Sequence, residues 1–497
     1  MHNLTAQQYE EIWDSGSAER ERTALRRAYY DGDHAIASRD EQYVDGTQKT
    51  NIVTNCIKFG VDLFTGSIAG TPYNVSAIET TEPETDDAGN QLEEVENESP
   101  SVYRKIATDN SLASKDVEHL RNALIGGWGI ELHEFVDDKV LITSRDPLNW
   151  KPVWNSDNVL IGAIFRADLD AGSFLTDTPL DEDLNIMVVY TQSEIITFHK
   201  QKSTNQGNWA QKERKAHLYG RPPIVVFQVN ESRTSLIGDD IIGQQDEYNE
   251  IDSLSGDDIR YDSDGVLTIS GYSHKDIKEN SETIREFKLL PLPSDGKAEF
   301  IKKPTDFERI VSRLMRTRKN IFSGLSVPDI EEITGATGST SGIALQLKFK
   351  PMKDNAQYMI TNLRDGVRDR IELINIRMQQ REGEPAINDV QINIDFDLPS
   401  NRVEEWQSVG ALTGIVSRRK QLEVLSDVED PDQEERRLDM EAENSRFIDS
   451  TSGTPEEIQA VNDAEISARS VELQPQVAVI IDSIADAVQA ETLRRIP

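Results

Sequence analysis

Between Gly238 and Arg381 of this chain, helix-length segments alternate with short inserts, and the first segment is almost wholly polar. Gly238 to Asp264 reads as a long helix with ten acidic residues opposed only by Arg260. The insert after it holds the β-like runs VLTIS, FKLLPL and AEFIKK. A second helix is expected from Thr305, where Thr305-Asp306-Phe307-Glu308 forms a capping box. Its apolar stripe is Phe307, Ile310/Val311, Leu314/Met315 and Ile321/Phe322. Arg309, Arg313, Arg316 and Asn320 share the other face at steps of four, three and four. Gly324 to Gly342 is a loop rich in Gly, Ser and Thr. It leads into a third helix, Ile343 to Arg381, with a regular stripe of Ile360, Leu363, Val367, Ile371, Ile374 and Met378. A strand, Val390 to Phe396, follows.

The flanking sequence has a different character. Residues 5–37, Lys49 to Gly70 and Val102 to Ile125 are expected to be helical, the second closed by Gly70-Thr71-Pro72. Glu79 to Pro100 holds nine acidic residues and no basic one, and reads as a solvated loop. From Ile130 to Phe227 short β-like runs dominate: IELHEFV, KVLITS, LIGAIFRADL, IMVVYT, EIITFHK and PIVVF. They predict a mixed or antiparallel sheet attached to the N-terminal helices. From Arg402 the chain is charged and helical to its end, with 21 acidic and 10 basic residues. The fold class is α+β, and the length corresponds to roughly three structural units.

Charge narrows the function. The sequence has 53 Lys+Arg against 89 Asp+Glu, a formal net charge of -36. That excludes a DNA binder of the ordinary kind, whose affinity comes from surplus basic residues on phosphates. The acidity fits a chain kept soluble by its charge and, with 32 Arg against 21 Lys, equally one kept soluble in concentrated salt. No stretch approaches 18 apolar residues without a charge, so no membrane span is expected. Met1 to Glu10 lacks the apolar core of a secretion signal. The single cysteine, Cys56, excludes a disulfide framework and a cysteine-ligated zinc site. Against this background Gly271 to Asn320 carries 12 basic and 8 acidic residues, a local net of +4, with Lys348, Lys350 and Lys353 just beyond. Either these cations pair with the acidic helix 239–264, or the block faces a polyanion.

No catalytic constellation is visible. Gly335 to Gly342 invites a phosphate-cradle reading, but it lacks the Gly-Lys-Ser/Thr ending of a P-loop and no strong strand precedes it. It reads as a flexible connection between helices. The seven histidines (His2, His34, His119, His133, His199, His217, His274) show no metal-ligand spacing, and each reads as a surface or satisfied core residue. There is no Gly-x-Ser-x-Gly, His-Glu-x-x-His or Rossmann fingerprint. Neither an enzyme activity nor a cofactor or metal is expected.

Four segments in order carry a family resemblance. They are Tyr29-Tyr30-Asp31-Gly32-Asp33-His34, His217 to Phe227 (HLYGRPPIVVF), Asp246 to Gly271, and Ile321 to Leu345. The first is similar to the YY-x-G-[DE]-H signature, and the second to the YGR-x-P-[IV]-x-x-F strand, of portal proteins of tailed double-stranded-DNA phages and viruses, siphophage-like branch. The third resembles the stem helix and first clip strand, and the fourth the segment with the tunnel loop. The match covers about residues 20–400.

The resemblance implies a portal fold with a mixed α/β wing, long stem helices, a small α/β clip and a helical crown, assembled as a ring, usually of twelve. On this mapping the wing is 1–237, the stem helices 238–263 and 305–325, and the clip 264–304. The tunnel loop is 326–342, a long helix and strand return to the wing over 343–400, the crown is 401–460, and 461–497 is a helical tail. Expected partners are other copies of the chain, the terminase large subunit, a head–tail adaptor, the major capsid protein or scaffold, and double-stranded DNA passing without sequence preference. The expected location is a capsid vertex of the virion, after assembly in the host cytoplasm. Arg309, Arg313, Arg316, Lys348, Lys350 and Lys353 are the DNA-channel candidates. Thr334, Gly335, Thr337, Gly338, Ser339 and Thr340 are tunnel-loop candidates, and Lys275, Lys278, Lys288 and Lys297 are candidates for clip and adaptor contact. The competing readings are another assembly component, such as an adaptor or scaffold, and a phosphate-loop NTPase using 335–342.

Overall fold

Thr5 starts the first helix, α1 (Ala6–Asp14), through a capping box with Gln8. The computed structural model describes residues 1, 4–38, 43–44, 47–48, 50–78, 98–136, 139–169, 183–201, 208–263, 266–270, 295–301, 306–329, 342–380 and 386–396, with scattered positions between 409 and 440. The expected helix 5–37 is two helices, because the chain turns at Gly16 before α2 (Ser17–Asp31). α2 stops at Gly32, whose φ of 100° is the left-handed conformation that glycine adopts without penalty.

The helix expected from Lys49 begins later, as α3 (Cys56–Ala69), with the Asn55 side chain accepting from the Lys58 amide. Residues before it are held extended by side chains of another helix, described below. Val102 to Ile125 likewise divides into α4 (Ser99–Asp109) and α5 (Leu112–Gly126), separated by Ser111 at φ 51°. The acidic stretch therefore ends before Ser99, and its residues 79–97 lie outside the described residues.

The strands pair throughout in antiparallel fashion. After a short hairpin, β1 (Tyr43–Val44) and β2 (Thr47–Gln48), come β3 (Asn74–Ala77), β4 (Trp128–Val136) and β5 (Lys139–Arg145). Then follow β6 (Trp150–Trp154), β7 (Leu160–Leu169), β8 (Leu184–Tyr190), β9 (Glu194–Gln201), β10 (Ala210–Ala216) and β11 (Ile224–Gln228). One sheet has the order β10-β9-β8-β7-β6 and a second β11-β4-β5. The apolar runs mark these strands well. β10, AQKERKA, was invisible to an apolar pattern because every residue of it is exposed; its Lys212, Arg214 and Lys215 blunt the sheet edge against further pairing.

Three long helices follow: α6 (Asp239–Ser263), α7 (Phe307–Gly324) and α8 (Gly342–Met378). Between α6 and α7 stands the hairpin β12 (Val266–Ser270) with β13 (Lys297–Ile301). α7 is capped by Asp306, whose side chain accepts from the Arg309 amide, in place of the expected Thr305 cap. Gly324 meets Ile241 while Arg313 reaches Glu247, so α6 and α7 run antiparallel side by side. β14 (Val390–Asn393) returns to pair with β3.

α1 covers the five-stranded sheet, packing Tyr9 and Trp13 on Ile164, Met187, Val189, Ile196 and Phe198. The largest core joins α3, α5 and Phe227 to the α8 stripe, and Ile360, Leu363, Val367, Ile371, Ile374 and Met378 are all buried as expected. By internal contacts the chain divides into residues 1–398 and 399–497. In the second unit, α9 (Arg418–Leu422) and residues 434–440 are helical, and Arg418 pairs with Asp439 at 3.3 Å. The rest of the expected C-terminal helices lies outside the described residues. Among the described residues no helix is long and apolar enough to cross a membrane.

Candidate functional site

α6 is polar because one row of its side chains bonds a stretch of backbone. Gln245, Asn249, Ser253 and Asp257 recur at steps of four. They accept from the amides of Cys56 (3.1 Å), Thr54 (3.1 Å), Ile52 (2.9 Å) and Thr50 (2.8 Å). Four helical residues advance about 6.0 Å, and two extended residues about 6.6 Å. The two repeats nearly match, so residues 50–56 zip along the helix in the opposite direction. The β-branched Ile52, Val53 and Thr54 suit that extended path. The row of short amide, hydroxyl and carboxylate side chains was the sequence signal; reading α6 by charge alone hides it.

The Tyr29 to His34 segment closes the top of this zipper. Tyr29 hydroxyl donates to Asp246 at 2.7 Å, and Tyr30 hydroxyl to Asp62 at 2.6 Å. Asn249 Nδ2 donates to His34 Nδ1 at 2.7 Å, while His34 Nε2 sits 2.8 Å from the Tyr29 carbonyl. The imidazole is therefore the neutral Nε2–H form, with Nδ1 accepting. Burial, the main influence, pulls the His34 pKa below its ordinary value, against the Tyr29 carbonyl, Asp246 and Asp33. Tyr29 rises to about 12, by burial first and then Asp246.

A second joint fixes α8. Arg370 is wholly buried. Its Nε lies 3.0 Å from Glu131 Oε1, its Nη2 2.6 Å from Glu131 Oε2 and 2.5 Å from Asp116 Oδ1, and its Nη1 2.7 Å from the Tyr73 hydroxyl. His133 and His119 set their Nε2 atoms 2.8 and 3.2 Å from the Glu131 carboxylate. Burial pushes the Glu131 pKa up, but Arg370 and the two imidazoles outweigh it and hold the carboxyl well below the usual range. Burial likewise pulls Arg370 down, and Asp116 and Glu131 more than offset it. Ligand-type atoms of Asp116, His119 and Glu131 lie within 4.8 Å of one another. The guanidinium already bridges both carboxylates, so the group is a charge clamp and not a cation cage. His119 and His133 thus converge in space although their spacing suggested nothing, and each keeps a buried Nδ1 without a partner. Phe227 of the second signature segment stacks on His119 at 4.8 Å and packs on Gly366 of α8. A Cβ at Gly366 would stand 2.6 Å from the Phe227 ring. Arg221 of the same segment pairs with Asp369 of α8 at 3.2 Å.

The predicted channel cations divide into three groups. Arg313 is paired with Glu247 of α6, its Nε 2.9 Å from the carboxylate, so for this residue the expected neutralisation by the acidic helix holds. Lys350 pairs with Asp354 one turn on, at 2.8 Å. Arg309, Arg316 and Lys353 are exposed and form no ion pair among the described residues. Lys348 and Lys319 line a recess of about 230 Å³ with Phe322, Ser326 and Pro351, where the chain leaves α7. Lys297 is exposed on β13. Lys275, Lys278, Lys288 and all six named tunnel-loop residues, Thr334, Gly335, Thr337, Gly338, Ser339 and Thr340, lie outside the described residues.

α7 also departs from a simple two-faced helix. Ile310 and Leu314 are half-buried and Thr317 and Ile321 buried, but Phe307, Val311 and Met315 are 42%, 47% and 67% exposed. At about 100° per residue, this apolar ridge lies on one flank of the buried face and the Arg309–Arg313–Arg316 row on the other. An amphipathic helix of a closed monomer needs one apolar face. This one has a second.

No curated protein sequence matches the chain. Two solved structures are among its structural likenesses. One is described as the neck of a native GTA particle computed with C12 symmetry: 12% identity, 75% of this chain and 90% of that chain covered, TM-score 0.41. The other is described as the virion of a native gene transfer agent (GTA) particle: 12% identity, 74% and 89% covered, TM-score 0.40. The model of the family described as phage portal protein, SPP1 Gp6-like, matches residues 9–446. The chain therefore belongs to the SPP1 Gp6-like family of phage portal proteins, structural ring-forming components of a capsid vertex.

Proposed function

We propose that about twelve copies of this chain close into a ring at one vertex of the capsid, and that double-stranded DNA enters and leaves through its bore. The observation that carries the reading is the second apolar face of α7. A head-to-tail neighbour covers such a ridge at every position of a closed ring and leaves no copy exposed. The terminase large subunit, a head–tail adaptor and the capsid or scaffold protein are the proposed partners, with assembly in the host cytoplasm. A conduit must not grip what it moves, because each phosphate neutralised by Lys or Arg adds affinity. A mostly acidic wall with a few unpaired cations repels DNA toward the axis and touches it weakly. Arg309, Arg316 and Lys353 remain candidates for that contact; Arg313 and Lys350 are engaged by carboxylates of their own chain.

Two outcomes are expected. Purified protein in high salt should show closed rings of one symmetry by electron microscopy, and Met315→Glu should reduce ring formation about tenfold or more. A monodisperse monomer at high concentration would remove the reading. Arg309→Glu with Arg316→Glu should leave rings intact but lower the extent of DNA packaged per particle. Wild-type packaging by those rings would show that the two arginines do not contact the DNA.

A further inference from the structure

The cleft between the β6–β7 turn, β11 and α8 has a volume of about 440 Å³ and is walled by Trp154, Gln192, Gln228, Asn362 and two arginines. The arginines differ. Arg221 is held by Asp369 and Glu372 of α8. Arg233 has no carboxylate partner among the described residues, in a chain with 89 carboxylates. Its guanidinium lies 3.8 Å from the centre of the Trp154 ring, its Nε donates to Gln228 at 3.1 Å, and one Nη donates to Asn158.

Three residues in left-handed conformation meet at this position, Asn158 against the Arg233 side chain and Gly127 against its backbone. Arg233 has φ 55°, Asn158 φ 62° and Gly127 φ 95°. A Cβ at Gly127 would stand 2.2 Å from the Arg233 carbonyl, so glycine there is what lets the turn approach. A left-handed arginine is uncommon, and such backbone persists where surrounding structure over-determines it, often at binding sites. The indole and the two amide contacts hold the guanidinium in place, and with Nε and one Nη engaged the fork keeps N–H groups to donate. Asp365 and Asp369, which also line the cleft, disfavour a dianion or a phosphodiester chain more than a single carboxylate. The amides of Gln192, Gln228 and Asn362 suit a peptide backbone.

We infer that this cleft receives an extended segment of a second copy of the chain, one Asp or Glu of which docks on the Arg233 guanidinium. The inference rests on the ring reading, which brings a second copy alongside. The occupant is argued from charge: a guanidinium without a carboxylate partner, in a fork that matches a carboxylate, faces copies with 89 Asp+Glu against 53 Lys+Arg, so an acidic side chain is the charged group it most often meets.

The test uses full-length protein under ring-forming conditions, with a photo-reactive benzoylphenylalanine at Val159, which is 55% exposed and lines the cleft. Irradiation should give cross-linked subunit pairs that map to a peptide containing Asp or Glu. Arg233→Gly in that background should cut the yield about fivefold or more, as loss of a bidentate charged contact predicts. The melting temperature should stay close to that of the parent, because relief of the left-handed backbone offsets the lost indole and amide contacts. Arg233→Lys should retain part of the yield. Rings that give no inter-subunit cross-link at position 159, or one to a peptide without an acid, would overturn the inference and leave the ring reading standing. So would a yield unchanged by Arg233→Gly, or a loss accompanied by a lower melting temperature. A wild-type protein that stays monomeric would remove both.

Discussion

Replacing Arg370 by Met should lower the unfolding free energy by about 3–5 kcal/mol, because it leaves Glu131 charged and buried without its counter-ion. Few single changes in this chain have a comparable mechanism. Glu131 and Arg370 are each wholly buried, and the guanidinium also donates to Asp116 and to the Tyr73 hydroxyl oxygen. The double variant Arg370→Met with Glu131→Leu should recover much of the loss, since replacing both partners removes the unpaired charge. Urea unfolding of the four proteins gives the coupling directly. The pH dependence supplies a second check. In the wild type the folded Glu131 carboxyl titrates well below its unfolded value. Its contribution is therefore present above the ordinary carboxylate range and is lost as pH falls through the folded pKa. In Arg370→Met the largest influence opposing burial is gone and only the two imidazoles remain, so the folded value should rise and the loss of stability on acidification should be smaller than in the wild type. Equal acid slopes in the two proteins would show that Arg370 does not set the state of Glu131.

This clamp also marks the limit of what the sequence discloses. The stripe of α8 was legible because aliphatic residues recur at helical spacing, and it is buried as expected. Arg370 sits one residue before Ile371 of that stripe, where a periodicity argument assigns arginine to solvent. Its partners come from β4 and α5, more than two hundred residues earlier, and the pairing exists only once the fold has formed. β7 was legible to the residue because its apolar run, LIGAIF, stands between stretches of turn-forming residues. The start of α3 was not, because Ile52 and Val53 were read as part of the apolar helical pattern, whereas amide, hydroxyl and carboxylate groups of α6 hold residues 50–55 extended. The channel cations show the same division. Helical spacing put Arg309, Arg313 and Arg316 on one flank, but it could not say that Glu247 engages the middle one.

The α6 zipper should be nearly as sensitive as the clamp. Asn249→Leu is expected to cost about 2–3 kcal/mol, because it removes the partner of the half-buried Thr54 amide, of the Gln245 side chain and of His34 Nδ1 together. Hydrogen exchange should localise the loss, with protection falling at Thr50, Ile52, Thr54 and Cys56 and not at the β7–β9 amides. Acid should loosen the same segment in the wild type. His34 is held neutral by burial, with a folded pKa below its unfolded value of about 6.5. Its contribution is therefore complete above that value and is lost as pH falls toward the folded pKa. Protonation puts a hydrogen on Nδ1 that faces the Asn249 amide donor, and turning the amide to accept it takes Oδ1 away from Thr54 and Gln245. Asn249→Asp separates this account from a general effect of acid. A carboxylate at 249 accepts from Nδ1 and favours the imidazolium, so the folded pKa of His34 should rise above the unfolded one. The linked stability should then be present below the unfolded value and lost as pH rises through the folded one, the reverse of the wild type. Parallel pH profiles for wild type and Asn249→Asp would mean that His34 does not control the zipper, and the acid sensitivity of α6 would have to come from its carboxylates.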